Sequence, residues 1–150
     1  MSTVLNYTTK IAASKSLSEM QTMLVKHGAT RIAVDYADDA AIGLTFSLPT
    51  PHGVRLFSLP VDVDAMEALL STMKPTGGGL SMATLRSRAH AERVAWRVMK
   101  DWLAAQLALI QTRMATLDQV MLPYLHVDSE QTLYAAYVAR EEALALEERS

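Results

Sequence analysis

The sequence predicts an α+β protein, with an antiparallel β-meander packed with helices, followed by a long helix and a helical C-terminal part. Apolar residues alternate with a period of two in three short runs between residues 30 and 61, and turn-forming residues separate the runs. After residue 84 the apolar spacing becomes helical. The chain has 150 residues, of which 50% are hydrophobic, which is enough for one domain with its own core. We expect a single domain over 1–150, with an α/β meander half at 1–73, a glycine-rich connector at 74–83 and a helical half at 84–150.

The first half of the chain is predicted to hold a helix, three strands and a short second helix. Ser16-Leu17-Ser18-Glu19 has the form of a capping box and predicts a helix that ends at Gly28. Strands are expected at 30–36, 42–48 and 55–61. Their inward residues should be Ile32, Val34, Tyr36, Ile42, Leu44, Phe46, Leu48, Phe57, Leu59 and Val61. Asp62 or Asp64 can cap the short helix that follows.

The second half is predicted to be helical. A long helix should run from about Thr84 to Arg113, followed by a short element at 117–125 that breaks at Pro123, and by a last helix at 132–148. The broad apolar arc of the long helix predicts that four residues are largely buried: Val94, Val98, Trp102 and Leu103. Such an arc is often covered by a second subunit, so we expect a homo-oligomer.

Composition excludes several classes of function. The formal net charge is −2 and there is no cysteine, so the chain has neither the basic excess of a general nucleic-acid binder nor a thiolate site. The four histidines are scattered, with no metal-ligand spacing and no nucleophile motif. The triple glycine at 77–79 lacks the spacing of a phosphate-binding loop and favours a hinge. We therefore expect no catalytic residues, no metal and no cofactor, and a soluble cytoplasmic protein without a membrane partner.

A basic stripe is the best candidate for a site. The stripe comprises Arg86, His90, Arg93, Arg97 and Lys100. At about 100° per residue these side chains fall within about 80° of arc on an otherwise apolar helix. A cation in such a place needs a partner, because an unpaired buried charge costs several kcal/mol.

Three interpretations of the stripe stay open. Acidic groups of the protein itself, at Asp62, Asp64, Glu67 or the C-terminus, would make it a structural ion-pair network. An anionic small molecule would use Arg93 and Arg97 on phosphate, with an aromatic residue such as Trp96 on its base. An exposed stripe would instead contact nucleic acid. Burial separates the last two, since a ligand pocket needs the stripe to be walled and a nucleic-acid surface needs it to be open.

Four segments carry a resemblance to known proteins. They are Tyr7-Thr8-Thr9-Lys10-Ile11, His27-Gly28-Ala29, Phe57-Ser58-Leu59-Pro60 and the run from Ala91 to Trp102, AERVAWRVMKDW. Together they resemble a group of small uncharacterised proteins of tailed phages and prophages. The resemblance implies a phage setting and names no activity. By analogy with small phage counter-defence proteins, it suggests a sponge for a nucleotide immune signal of the host, ADP-ribose-derived or cyclic, or an accessory protein of phage DNA metabolism.

Overall fold

A computed structural model describes residues 3–75 and 79–149, and it confirms the α+β class. The helices and strands are α1 (Ala13–Lys26), β1 (Arg31–Ala37), β2 (Ala40–Thr50), β3 (Gly53–Pro60), α2 (Val63–Ser71), α3 (Met82–Leu85), α4 (Arg88–Gln111), α5 (Leu117–Met121) and α6 (Leu133–Arg149), with a 3-10 turn at Leu122–Tyr124. Residues 76–78, where most of the expected glycine hinge falls, lie outside the described part of the chain.

The three strands form an antiparallel sheet in the order β1-β2-β3, as predicted. Asp38 and Asp39 both have positive φ and form the two-residue turn between β1 and β2, as a type I′ hairpin requires. The inner face of the sheet is apolar, and the rings of Phe46 and Phe57 stack there with centroids 6.0 Å apart. This face belongs to the hydrophobic core, which it shares with α1, α2 and α4.

Two residues that were predicted to face inward, Tyr36 and Ile42, lie at a β-bulge and do not do so. Asp35 pairs with Gly43 and Tyr36 pairs with Ala41, so Ile42 is an extra residue on β2. Ile42 thereby leaves the inward row of β2 and is exposed, and Tyr36, which lies beside the bulge on β1, is exposed as well. A strict period of two cannot place residues beyond an inserted one.

The long helix α4 is confirmed over 24 residues, which is more than six turns. It begins at Arg88 and not near Thr84, because the Ser87 side chain caps it and the preceding turn, α3, is a separate helix. Of the four residues predicted to be largely buried, Val94 and Leu103 are buried, whereas Val98 and Trp102 are half-buried.

The start of α1 also differs from the prediction. The helix begins at Ala13 without a side-chain cap, so the capping box expected at Ser16 is wrong. Ser16 is instead buried inside the helix, facing α4. The two ends of the chain contrast in burial, since α1 packs along α4 while α6 has no buried residue. Within the described residues, no helix is both long and apolar enough to cross a membrane.

Candidate functional site

The basic stripe divides between two helices. His90, Arg93, Arg97 and Lys100 lie on α4, whereas Arg86 is the C-cap residue of the one-turn helix α3. The Arg86 Nε donates a hydrogen bond to the carbonyl oxygen of Ser71 at 3.3 Å, so this side chain faces the end of α2. Arg86 is therefore separated from the other four by the break at Ser87.

Glu19 of α1 is the acidic partner of the stripe. Its Oε2 accepts a hydrogen bond from Arg97 Nη1 at 2.6 Å and lies 3.8 Å from Lys100 Nζ. Lys100 also approaches Asp101, whose other oxygen accepts a bond from the Asn6 side chain at 2.7 Å. The Arg97 side chain is only 15% exposed, so the pair with Glu19 is partly shielded from water and from salt.

The acidic residues that the sequence offered as partners of the stripe serve elsewhere. Asp64 and Glu67 on α2 both accept from Arg88, with Glu67 at 2.9 Å, and the Asp62 side chain caps α2. Hydrogen bonding to Glu67, and next to Asp64, raises the pKa of the Arg88 guanidinium above its ordinary value. Asp62, Asp64 and Glu67 were thus wrong as sources of neutralisation, whereas Asp101, the acidic residue within the same helix that the sequence offered for Lys100 or Arg97, does lie 3.5 Å from Lys100. An ion-pair network does exist between α1 and α4.

His90 is buried and both ring nitrogens have partners. Nε2 lies 2.6 Å from the carbonyl oxygen of Tyr7, and Nδ1 lies 3.2 Å from Arg93 Nη2. A carbonyl only accepts and a guanidinium only donates, so the ring carries its proton on Nε2 and accepts at Nδ1. His90 therefore holds the N-terminal segment against α4 and does not add a charge to the stripe.

Trp96 is 1% exposed and lies in the core, which corrects its place among the expected ligand-binding residues. A ring that is enclosed by protein cannot stack on the base of a bound nucleotide.

Arg93 is the cation of the stripe on α4 for which the described part of the chain provides no carboxylate partner. Among the residues that the structure describes, its hydrogen-bond partner is the neutral His90, and no carboxylate lies within ion-pair distance of it. It sits one turn from Arg97 on the same face of α4. Arg93 and Arg97 therefore bring two guanidinium groups to a place where one carboxylate, Glu19, serves Arg97 and Lys100.

The structure also assembles a polar row that sequence reasoning missed. On the outer face of the sheet, Thr45 Oγ1 donates to Asp35 Oδ2 at 2.8 Å and lies 2.8 Å from Ser58 Oγ. Ser58 Oγ is in turn 2.6 Å from Nε2 of His126, whose Nδ1 is 3.1 Å from the carbonyl oxygen of Asp128. The polar row thus comprises Asp35, Thr45, Ser58 and His126.

The Ser58–His126 contact resembles a nucleophile with its base, and the Asp128 carbonyl would orient the ring. The Thr45 hydroxyl donates its proton to Asp35, so towards Ser58 it can only accept. The single proton of the Ser58 hydroxyl therefore has two possible acceptors, Thr45 Oγ1 and His126 Nε2. Beside the row lies an apolar pocket of about 270 Å³, whose lining includes Ser58, Tyr124 and Tyr134. The contact between Ser58 and His126 connects the segment before α6 to β3. The Ser58 hydroxyl also lines the pocket, where a small molecule could reach it.

One signal in the sequence pointed weakly to this row. Asp35, Thr45 and Ser58 each occupy an outward position of a predicted strand. Nothing in the spacing brings His126 to them, since it is 68 residues from Ser58. No group of three or more histidine, aspartate or glutamate residues within the described ranges could hold a metal ion.

Comparisons of the chain with protein-family models, curated proteins and solved structures give no significant match.

Proposed function

We propose that this protein is a non-enzymatic binding protein that holds an anionic, phosphate-bearing small molecule at Arg93, on the face where α4 meets α1. The observation that carries the proposal is the excess of cations around Glu19. Arg93, Arg97 and Lys100 share this face, and among the described residues the carboxylates within 4.0 Å of them are Glu19 and Asp101. Guanidinium groups one turn apart suit an oxyanion, because their planar forks can converge on its oxygens.

The burial of the stripe favours an enclosed ligand over nucleic acid. Side-chain exposure is 15% for Arg97 and 22% for Lys100, and the N-terminal segment covers His90 through Tyr7. A surface that tracks a nucleic-acid backbone needs several open cations in a row. The nucleic-acid alternative would therefore require α1 or the N-terminal segment to move away from α4.

The class of ligand is part of the proposal and rests on the resemblance of four segments of the sequence to small proteins of tailed phages and prophages. In a phage setting, a small anionic molecule worth binding tightly is a nucleotide immune signal of the host, ADP-ribose-derived or cyclic. The protein would act by sequestration, lowering the free concentration of the signal without chemical change. Sequestration of this kind requires a dissociation constant below about 1 µM, which corresponds to a free energy of binding of more than about 8 kcal/mol at a standard state of 1 M.

Titration calorimetry with ADP-ribose and with a cyclic dinucleotide tests this function. Arg93→Ala should abolish the heat of binding. Since it breaks no pair with a carboxylate, its cost in stability should be that of the lost hydrogen bond to His90 Nδ1, about 1–3 kcal/mol. Arg31→Ala is the matched control, because Arg31 is exposed on β1, far along the chain from the stripe. Absence of binding to the unmodified protein at about 100 µM of each nucleotide would reject the proposal, as would an equal effect of the two substitutions.

Ester hydrolysis is a second candidate, favoured only by the 2.6 Å contact between Ser58 Oγ and His126 Nε2 beside the apolar pocket. A fluorophosphonate probe tests it, since attack by Ser58 on phosphorus expels fluoride and leaves a stable covalent adduct. Labelling that disappears in Ser58→Ala and in His126→Ala would establish the activity. An unlabelled protein would leave the polar row as a structural clasp.

A further inference from the structure

The apolar pocket beside the polar row has a floor formed by the sheet. Asp35, Gly43 and Pro60 are neighbours in register across the three strands, and all three line the pocket. They share the outer face with Thr45 and Ser58, because side chains alternate along each strand. Gly43, in the middle, has no side chain, which leaves a depression between the Asp35 side chain and the Pro60 ring.

The segment that leads into α6 forms the opposite wall, with Tyr124 and Tyr134. The backbone N–H of His126 donates to the carbonyl oxygen of Leu56 at 2.9 Å, which holds this segment against β3. The Tyr124 ring packs edge-on against Trp102, with the ring centroids 5.5 Å apart. The wall is therefore fixed by contacts within the protein, and a ligand that enters does not have to order it.

The charge of the lining favours a cation. Of the described residues that line the pocket, only Asp35 is charged, and it is half-buried. Thr45 Oγ1 donates to its Oδ2, which orients the carboxylate and leaves Oδ1 for a ligand. No lysine, arginine or histidine in the described part of the chain lies within 4.0 Å of it. A carboxylate that the protein does not pair, at the side of an apolar pocket, suits a charge-assisted hydrogen bond from a ligand cation.

The apolar surface of the pocket sets the rest of the ligand. Ile42, which the bulge places outside the core, is 39% exposed, and Tyr134 is 60% exposed, and both line the pocket. An apolar cavity of about 150 Å³ is large enough for benzene. The volume here is about 270 Å³, which is enough for one ring with a short chain. Tyrosine rings pack well against another ring, and they also attract a cation.

We propose that this pocket is a binding site for a small primary amine that carries one aromatic ring. The ammonium group donates to the Asp35 carboxylate, and the ring packs against Ile42 and Tyr134. The basic stripe contributes none of the described residues of this lining, and a cationic ligand is the opposite of the anion proposed for Arg93. The two sites are therefore independent of each other.

NMR titration of the full chain with 2-phenylethylamine tests the site. Shifts should concentrate in the residues that line the pocket, with a dissociation constant of about 1 mM or lower for a ligand of this size. 2-Phenylethanol keeps the ring and replaces the ammonium group with a neutral hydroxyl, so it should bind about tenfold more weakly or worse. An absence of saturable shifts up to about 10 mM amine overturns the proposal, as does equal binding of the amine and the alcohol.

Asp35→Asn tests the carboxylate. The amide keeps an oxygen that accepts from Thr45, so the fold should be retained, while the dissociation constant for the amine should rise about tenfold or more. Asp39→Asn is the matched control, because Asp39 is an exposed aspartate of the same hairpin, and asparagine tolerates its positive φ. Equal effects of the two changes would overturn the assignment of Asp35. Arg93→Ala should leave amine binding unchanged, and a loss there would place the amine at the stripe and reject this pocket.

Discussion

The helices α4 and α6 use apolar residues in different ways. In α4 they gather on a broad arc, and seven residues of that helix are buried. In α6 they are spread around the axis, and none is buried. Alanine makes up five of the 17 residues of α6, and its high helix propensity sustains a helix that packing does not support. The comparison shows that the arrangement of apolar residues, and not their amount, decides which helix enters the core.

The charged residues of α4 and α6 also differ in burial. On α4, Arg97 and Lys100 meet Glu19 across the contact with α1, where the side chains are partly covered. On α6 the charged residues are exposed to solvent. An exposed charge needs no partner, whereas a covered one does. The substitutions below measure how far these two helices differ in their contribution to stability.

The largest difference should appear on truncation of an apolar side chain. Trp96→Ala removes a core side chain from α4 and leaves a cavity, and should lower the free energy of unfolding by about 3–5 kcal/mol. Leu146→Ala removes an exposed side chain from α6 and should change it by less than about 0.5 kcal/mol. Urea denaturation followed by circular dichroism measures both. Comparable losses would mean that α6 is as tightly packed as α4, contrary to its burial.

The next effect concerns the ion pairs. Glu19→Ala leaves Arg97 and Lys100 without their shared carboxylate and should cost about 1–2 kcal/mol, between the values of an exposed and a buried pair. Glu148→Ala on α6 should be nearly neutral. If thermal melts in low and high salt show no loss for Glu19→Ala, the stripe is not a structural element and its cations are free for a ligand.

A smaller effect is expected at the attachment of α6. His126→Ala removes the contacts with Ser58 Oγ and with the Asp128 carbonyl, and should cost about 1 kcal/mol. Amide exchange should accelerate in residues 125–149 and stay unchanged in α4. His52→Ala is the control, because its side chain is 77% exposed. Uniform acceleration over both helices would show that His126 supports the whole fold.

The smallest effect is a dependence on pH in the turn before α6. Hydrogen bonds donated by the backbone N–H groups of Glu130 and then Gln131 lower the pKa of the Asp128 carboxyl, and the charge of His126 adds to this. A lowered folded pKa gives a stabilisation that is complete above the unfolded pKa and is lost as pH falls through the folded one. NMR titration should therefore show the turn at 126–132 loosening in acid. Asp128→Asn keeps the acceptor oxygen and should remove this dependence.

Much of the fold was predictable from local spacing. The alternation in 30–61 predicted the three strands, and the helical spacing around Val94 and Leu103 predicted the long buried helix. The exceptions arose where one residue alters the pattern, as the bulge at Ile42 and the cap at Ser87 do. A local pattern records which residues share a face, and an inserted residue changes the faces of those beyond it.

The partners of the polar groups were decided only by the tertiary structure. The sequence alone determined that α4 carries a basic stripe, but Glu19 reaches Arg97 across 78 residues of chain. Likewise, the outward positions of Thr45 and Ser58 were readable, whereas the approach of His126 was not. Spacing along one helix or strand fixes the direction of a side chain, while the group opposite it depends on how separate elements pack. For the same reason α6 could be predicted as a helix, but only the folded chain shows that its apolar surface is left uncovered.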